Sequence, residues 1–253
     1  MSQIIAIAND KGGVAKTTTA VSLGGAMVAM KGEVMLIDLD PQASLTLALG
    51  VPPHTVRNSI ADVLLNSASL LSTSRETYVP GLDLVPSNSE LLLTERFLPT
   101  RNNYKNILRE AIDDTHYDTL ILDCPPSLGA ITQNALIAAD ILIIPTTPDY
   151  LSTYALRSIM GLIGVIRDND NPQLDYRILV TMLDQRIKSH TTFDKQLRAT
   201  FDNTVFATAI QVDTRLRDSA IAGLPITHYL SHTRSAQQYR ALAQELAQYV
   251  KSK

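Results

Sequence analysis

The chain is nearly free of cysteine: Cys124 is the single one in 253 residues. One thiol excludes an internal disulfide and a thiolate zinc site within one chain, and it fits a reducing compartment. Long apolar runs are missing too; none approaches the roughly 20 residues of a membrane span. The opening MSQIIAIAND lacks the basic region and cleavage site of a signal peptide. A cytoplasmic location is therefore expected. Internal repeats, low-complexity tracts and long linkers are absent as well, and 45% of the residues belong to the hydrophobic set. That suits one large α/β domain over residues 1–253, with enough chain to bury a sizeable core.

Excess positive charge is also lacking, since the net charge is −3, and taken globally this argues against a nucleic-acid binder. The distribution argues otherwise. Residues 186–253 carry ten Lys/Arg against five acids, a net +5, which leaves −8 on residues 1–185. Such asymmetry is the electrostatic footprint of a polyanion-binding face, or else an ordinary solvated face on C-terminal helices.

Apolar runs at 4–8, 33–38, 82–87, 118–123, 141–146, 177–182 and 204–210 alternate with amphipathic segments at 16–30, 102–114, 131–139, 154–168, 191–201 and 234–250. Several runs are continuous, as expected of strands covered on both faces. Strand then helix, repeated, predicts the α/β class: a doubly wound, mainly parallel β-sheet flanked by helices, with ligands at the carboxyl ends of the strands. The stretch 67–81, SASLLSTSRETYVPG, reads as a surface excursion.

Between the first run and the first helix lies NDKGGVAKTTT. A strand, a glycine-containing loop and a helix beginning near Lys16 form the setting of a phosphate-binding loop, whose backbone N–H groups and helix end favour a polyphosphate. Lys16 would meet the β and γ phosphates, the Thr17 hydroxyl would ligate Mg²⁺, and Gly12 and Gly13 let the backbone approach the anion. The generic G-x-x-x-x-G-K-[ST] pattern fails at both glycines, where Asp10 and Ala15 stand. The variant K-G-G-x-x-K-[ST] is met by Lys11, Gly12, Gly13, Lys16 and Thr17. Aspartates follow at strand ends: Asp38 and Asp40 in MLIDLDPQ, and Asp123 in LILDCPPS. Phosphoryl transfer needs acids that hold a metal and orient water, and two acids two residues apart in an extended segment share a side. Pro125 and Pro126 would stiffen the segment that reports on the γ-phosphate.

The lysine box resembles the deviant Walker A motif of the ParA/MinD family of P-loop ATPases. IDLDPQ resembles its first switch, and LILDCPPS its Walker B and second switch. The resemblance covers essentially the whole chain. It implies ATP and Mg²⁺ as cofactors, with the loop Lys11, Gly12, Gly13, Val14, Ala15, Lys16, Thr17 and Thr18 holding the nucleotide. Lys11 would act in trans across an ATP-sandwich homodimer. Asp38 and Asp123 would join Thr17 around the metal, and Asp40 would position the attacking water. AIQVDTRLRDS would place Asp213 near the adenine, although Gln211, Val212 and Asp213 stand where the family often has Pro-Arg-Asn.

Within that family, MinD-like members end in a membrane-inserting amphipathic helix. Here Tyr239, Leu242, Leu246 and Val250 recur at helical spacing in an Ala- and Gln-rich tail, as for a helix packed on the core. The resemblance is therefore to ParA/Soj-type partition ATPases, without the N-terminal site-specific DNA-binding domain of some plasmid relatives. It implies non-specific, nucleoid-associated DNA binding through Arg215 above all, then Arg217, Lys195 and Arg198. It also implies slow hydrolysis stimulated by a ParB-like or other adaptor, and movement of plasmid, chromosome or other cargo. A MinD-like positioning ATPase on the membrane is the alternative. A nitrogenase-type iron protein needs two cluster cysteines, and a metabolic amidoligase or dethiobiotin-synthetase-like kinase needs a substrate pocket that no motif announces.

Overall fold

The computed structural model describes residues 2–251; Ser252 and Lys253, the latter counted in the basic tail, lie outside them. Seven strands form the sheet: β1 Gln3–Ile7, β2 Val34–Asp38, β3 Arg75–Glu76, β4 Leu82–Val85, β5 Thr119–Asp123, β6 Ile141–Thr146 and β7 Asp175–Val180. Their spatial order is β3-β4-β2-β5-β1-β6-β7. Every pairing is parallel except β3 with β4. The helices are α1 Lys16–Val28, α2 Ser44–Ala48, α3 Ile60–Asn66, α4 Leu70–Thr73, α5 Leu91–Phe97, α6 Ile107–Asp113, α7 Ala130–Ala138, α8 Tyr150–Asn169, α9 Lys188–Phe201, α10 Arg215–Ile221, α11 Ile226–Tyr229 and α12 Arg234–Lys251.

Alternate residues of each strand feed two cores, because side chains point to opposite faces at successive positions. Ile4, Ala6, Met35, Ile37, Leu120 and Leu122 pack beneath α3 and α5 to α9. Ile5, Ile7, Val34, Leu36 and Ile121 pack beneath α1, α2 and α12. Gly25 permits close approach on the second face, since a Cβ there would meet Pro225 Cβ at 2.4 Å. Tyr239, Leu242 and Leu246 of α12 are fully buried as the spacing predicts, whereas Val250 is exposed.

Residues 204–210 do not form the expected strand. Phe206 and Ile210 donate backbone N–H groups to Ile178 and Val180 of β7, but between them the N–H groups of Ala207 and Thr208 turn away to the Glu245 carboxylate of α12. A side chain thus takes the donors a ladder needs. The excursion at 67–81 carries α4 and the edge strand β3. Short helices absent from the periodic reading include α3, which opens on a Ser59/Asp62 capping box.

Candidate functional site

The carboxyl ends of β1, β2 and β5 converge, with Asp38 and Asp123 side by side in register. Between β1 and α1 the loop turns through two left-handed residues, Gly13 at φ 74° and Ala15 at φ 67°. Its shape is held from outside: Thr181 Oγ1 donates to the Val14 carbonyl at 3.0 Å, and Asn9 Nδ2 donates to the Pro145 carbonyl at 2.8 Å. A cavity of about 390 Å³ lies over the loop, bordered by Gly12, Lys16, Thr17, Asp40, Pro126 and Leu216.

Lys16 is buried, and its amine donates to the carbonyls of Asn9 at 3.1 Å and Lys11 at 3.2 Å. Burial lowers its pKa, opposed by the nearby charge of Asp123. The Thr17 hydroxyl donates to Asp123 Oδ2 at 2.7 Å, while Asp123 Oδ1 is buried without a partner. Burial, reinforced by the charge of Asp38, raises the Asp123 pKa well above the carboxylate range. That unpaired oxygen beside a hydroxyl is a hard-oxygen donor set suited to a magnesium ion that keeps most of its other positions for water and phosphate. Among the described residues no three His, Cys, Asp or Glu side chains cluster as a ready-made metal cage.

Asp38 and Asp40 do not share an open side as their spacing predicts. Asp40 borders the cavity and caps its own turn, accepting from Gln42 N at 2.8 Å. Asp38 is fully buried behind it: Oδ1 accepts from Asp40 N at 3.1 Å, and Oδ2 accepts from Thr46 N at 2.8 Å and Thr46 Oγ1 at 2.6 Å. Burial pushes its carboxyl up to about 6 against those bonds.

Lys11 points away from the cavity. Its amine is 2.5 Å from Asp149 Oδ2 and donates to Thr147 Oγ1 and Ser152 Oγ, each at 3.2 Å. Asp149 caps α8 by accepting from Ser152 N at 3.1 Å. The sequence reading missed Asp149, although Pro-Asp ahead of an amphipathic run is a helix-start signal. Glu95 was missed as well. Its carboxylate reaches from α5 to accept from the N–H groups of Ala130 at 2.7 Å and Ile131 at 3.1 Å, so the loop after Pro125 and Pro126 ends on a clamped helix.

Asp213, expected near the adenine, is engaged with its own chain. It accepts from Arg215 Nε at 2.8 Å and from Ser235 Oγ at 3.0 Å, and its side chain is 3% exposed. Arg215 is exposed and makes that ion pair within its own turn. Arg198 is likewise committed, to Asp194 and to the Phe206 carbonyl. Arg217 and Lys195 are exposed. No helix among the described residues is long and apolar enough to cross a membrane.

A family model described as an AAA domain matches residues 2–176. The sporulation initiation inhibitor protein Soj of Bacillus subtilis is 35% identical over 98% of this chain and 99% of its own length. The chromosome partitioning protein ParA of Caulobacter vibrioides is 34% identical over 96% of this chain and 93% of its own. Among solved structures, cobyrinic acid a,c-diamide synthase from Mycobacterium smegmatis, with bound ADP and magnesium, superposes at a TM-score of 0.87 with 31% identity, over 100% of this chain and 96% of its own.

Proposed function

The chain belongs to the ParA/MinD family of P-loop ATPases, and from that membership we propose a partition-type ATPase that cycles between a free and an ATP-bound, DNA-associated dimer. The observation that carries this reading is the loop itself: two left-handed turns, a buried amine bonded only to loop carbonyls, and a hydroxyl beside an aspartate with one unpaired oxygen. An anion at the loop would draw Lys16 off those carbonyls. Mg²⁺ would rest on Thr17 and Asp123, supplying charge compensation for the phosphates, with Asp38 holding the turn behind it. Asp40, on the cavity wall, would orient the attacking water. Lys11 would leave Asp149 to meet the partner's nucleotide.

DNA contact in this reading falls to Arg215, Arg217 and Lys195, the exposed candidates, because an exposed ion pair such as that of Arg215 is weak and exchanges readily for a phosphate. Residues 1–253 act as one ATPase domain in the cytoplasm, stimulated by an adaptor. The amide-forming activity in the name of the Mycobacterium smegmatis synthase belongs to that protein; the matches to Soj and ParA over nearly their full lengths favour cargo positioning. ATP-dependent retention of the protein on plasmid DNA, with liposomes as the parallel surface, tests the proposal. Retention on DNA that falls in Arg217→Glu and Lys195→Glu supports it, whereas retention on liposomes alone would favour a MinD-like role.

A further inference from the structure

Beyond the end of α2 lies a second cavity of about 630 Å³, which has no part in the reading above. Ser44 and Ala48 of α2 border the phosphate loop, whereas Leu49, Gly50 and Val51, immediately after the helix, border this one. Its other walls are Thr55, Arg57 and Asn58, and the end of α4 with β3, as far as Tyr78.

Most hydroxyls on those walls are already spent. Thr55, Ser72, Ser74 and Thr77 donate to the carbonyls of Pro52, Ser69, Leu71 and Leu82. The donors left over are the guanidinium groups of Arg57 and Arg75, with the Asn58 amide and the Tyr78 phenol. Among the described residues neither arginine lies in an ion pair. Arg75 is half-buried, and its Nε is fully covered yet has no hydrogen-bond partner. Glu76, the one acid on the walls, does not answer either charge. A covered cationic donor without an acceptor is costly unless something supplies one.

We propose that this cavity binds a phosphorylated small molecule, with Arg57 and Arg75 as its phosphate ligands. Guanidinium forks match phosphoryl oxygens two at a time, and the volume lies within the range of ordinary small-molecule sites, about 300 to 1,000 Å³. A phosphoryl group would meet the accessible part of the Arg75 guanidinium and draw it outward, giving the covered Nε–H an acceptor, and Arg57 would neutralise the second charge.

Inorganic pyrophosphate is the probe, titrated calorimetrically in magnesium-free buffer with ADP saturating the phosphate loop. The wild-type chain is expected to bind one further equivalent. Arg75→Ala and Arg57→Ala should each weaken it by about 10- to 100-fold, the range for a lost charge-assisted hydrogen bond. Arg75→Lys, which keeps the charge but not the fork, should recover only part. Arg57 is exposed, so its variant carries the test even if Arg75→Ala unfolds. The proposal is overturned if wild-type chain takes up no second equivalent at millimolar pyrophosphate, or if all variants bind as the wild type does.

Discussion

If Lys11 serves the partner's nucleotide as proposed, replacing Asp149 with asparagine should make the ATP-bound dimer tighter, because it releases that lysine beforehand. Asparagine still caps α8 through Ser152 N, so the change removes charge and leaves the helix start intact. Burial alone would raise the Asp149 carboxyl, but hydrogen bonds from Lys11, Thr147 and Ser152 outweigh it and hold the group at about 2, against an ordinary 3.8. That difference corresponds to roughly 2.4 kcal/mol of gross preference for the ionised form. It is complete above the unfolded value and lost only as pH falls through 2, so at neutral pH the contact is at full strength. The carboxylate is 42% exposed, and screening together with the two hydroxyl and backbone donors reduces the share of Lys11 to about 1 kcal/mol. In the proposed sandwich dimer two lysines leave, so removing both contacts favours association by about 2 kcal/mol, or about 30-fold in the dissociation constant. Sedimentation velocity with ATP and magnesium, in an Asp40→Ala background that keeps nucleotide intact, measures it. Unchanged or weaker association would refute the idea that Lys11 is held in reserve by its own chain.

Ala15→Gly should stabilise the nucleotide-free chain by about 1 kcal/mol in urea unfolding, since a left-handed conformation is strained for alanine and not for glycine; a lower midpoint would contradict it. Asp40→Ala should retain ATP binding while slowing hydrolysis by about 100-fold or more, the usual loss with a proton-accepting or water-orienting group; unchanged turnover would remove its assigned role. The Asp38 carboxyl, pushed up to about 6 by burial, binds its proton more tightly folded than unfolded. Its contribution therefore falls as pH rises through that window, by roughly 1 kcal/mol between pH 5 and 7 without metal. Asp38→Asn should flatten the pH dependence of the melting temperature over that range, and an unaltered slope would exclude Asp38 as its source.

The sheet was legible because six of its strands are apolar runs, several of them continuous, and three lead into chemistry: a glycine turn after Ile7, and aspartates at Asp38 and Asp123. The failures have one physical kind. Residues 204–210 have strand composition, but Glu245, some forty residues on, claims two of their N–H groups. Arg215 and Asp213, two residues apart in one turn, pair with each other, which their separate motif roles do not show. The partner of Lys11 sits 138 residues away, so no local pattern could reveal it. Helices as short as α2, α10 and α11 span too few turns to show a period and are fixed by packing instead.

The Glu95 carboxylate gives the loop from Cys124 to Gly129 two footings, one in β5 and the other on α5 by way of α7. Such a span behaves as an arch. At its crown Pro126 overlooks the phosphate loop. One abutment is the central sheet. The other is a two-turn helix whose outer side chains, Leu92, Leu93 and Phe97, stand in water, so a single carboxylate joins the loop over the nucleotide end to a helix on the outside of the protein.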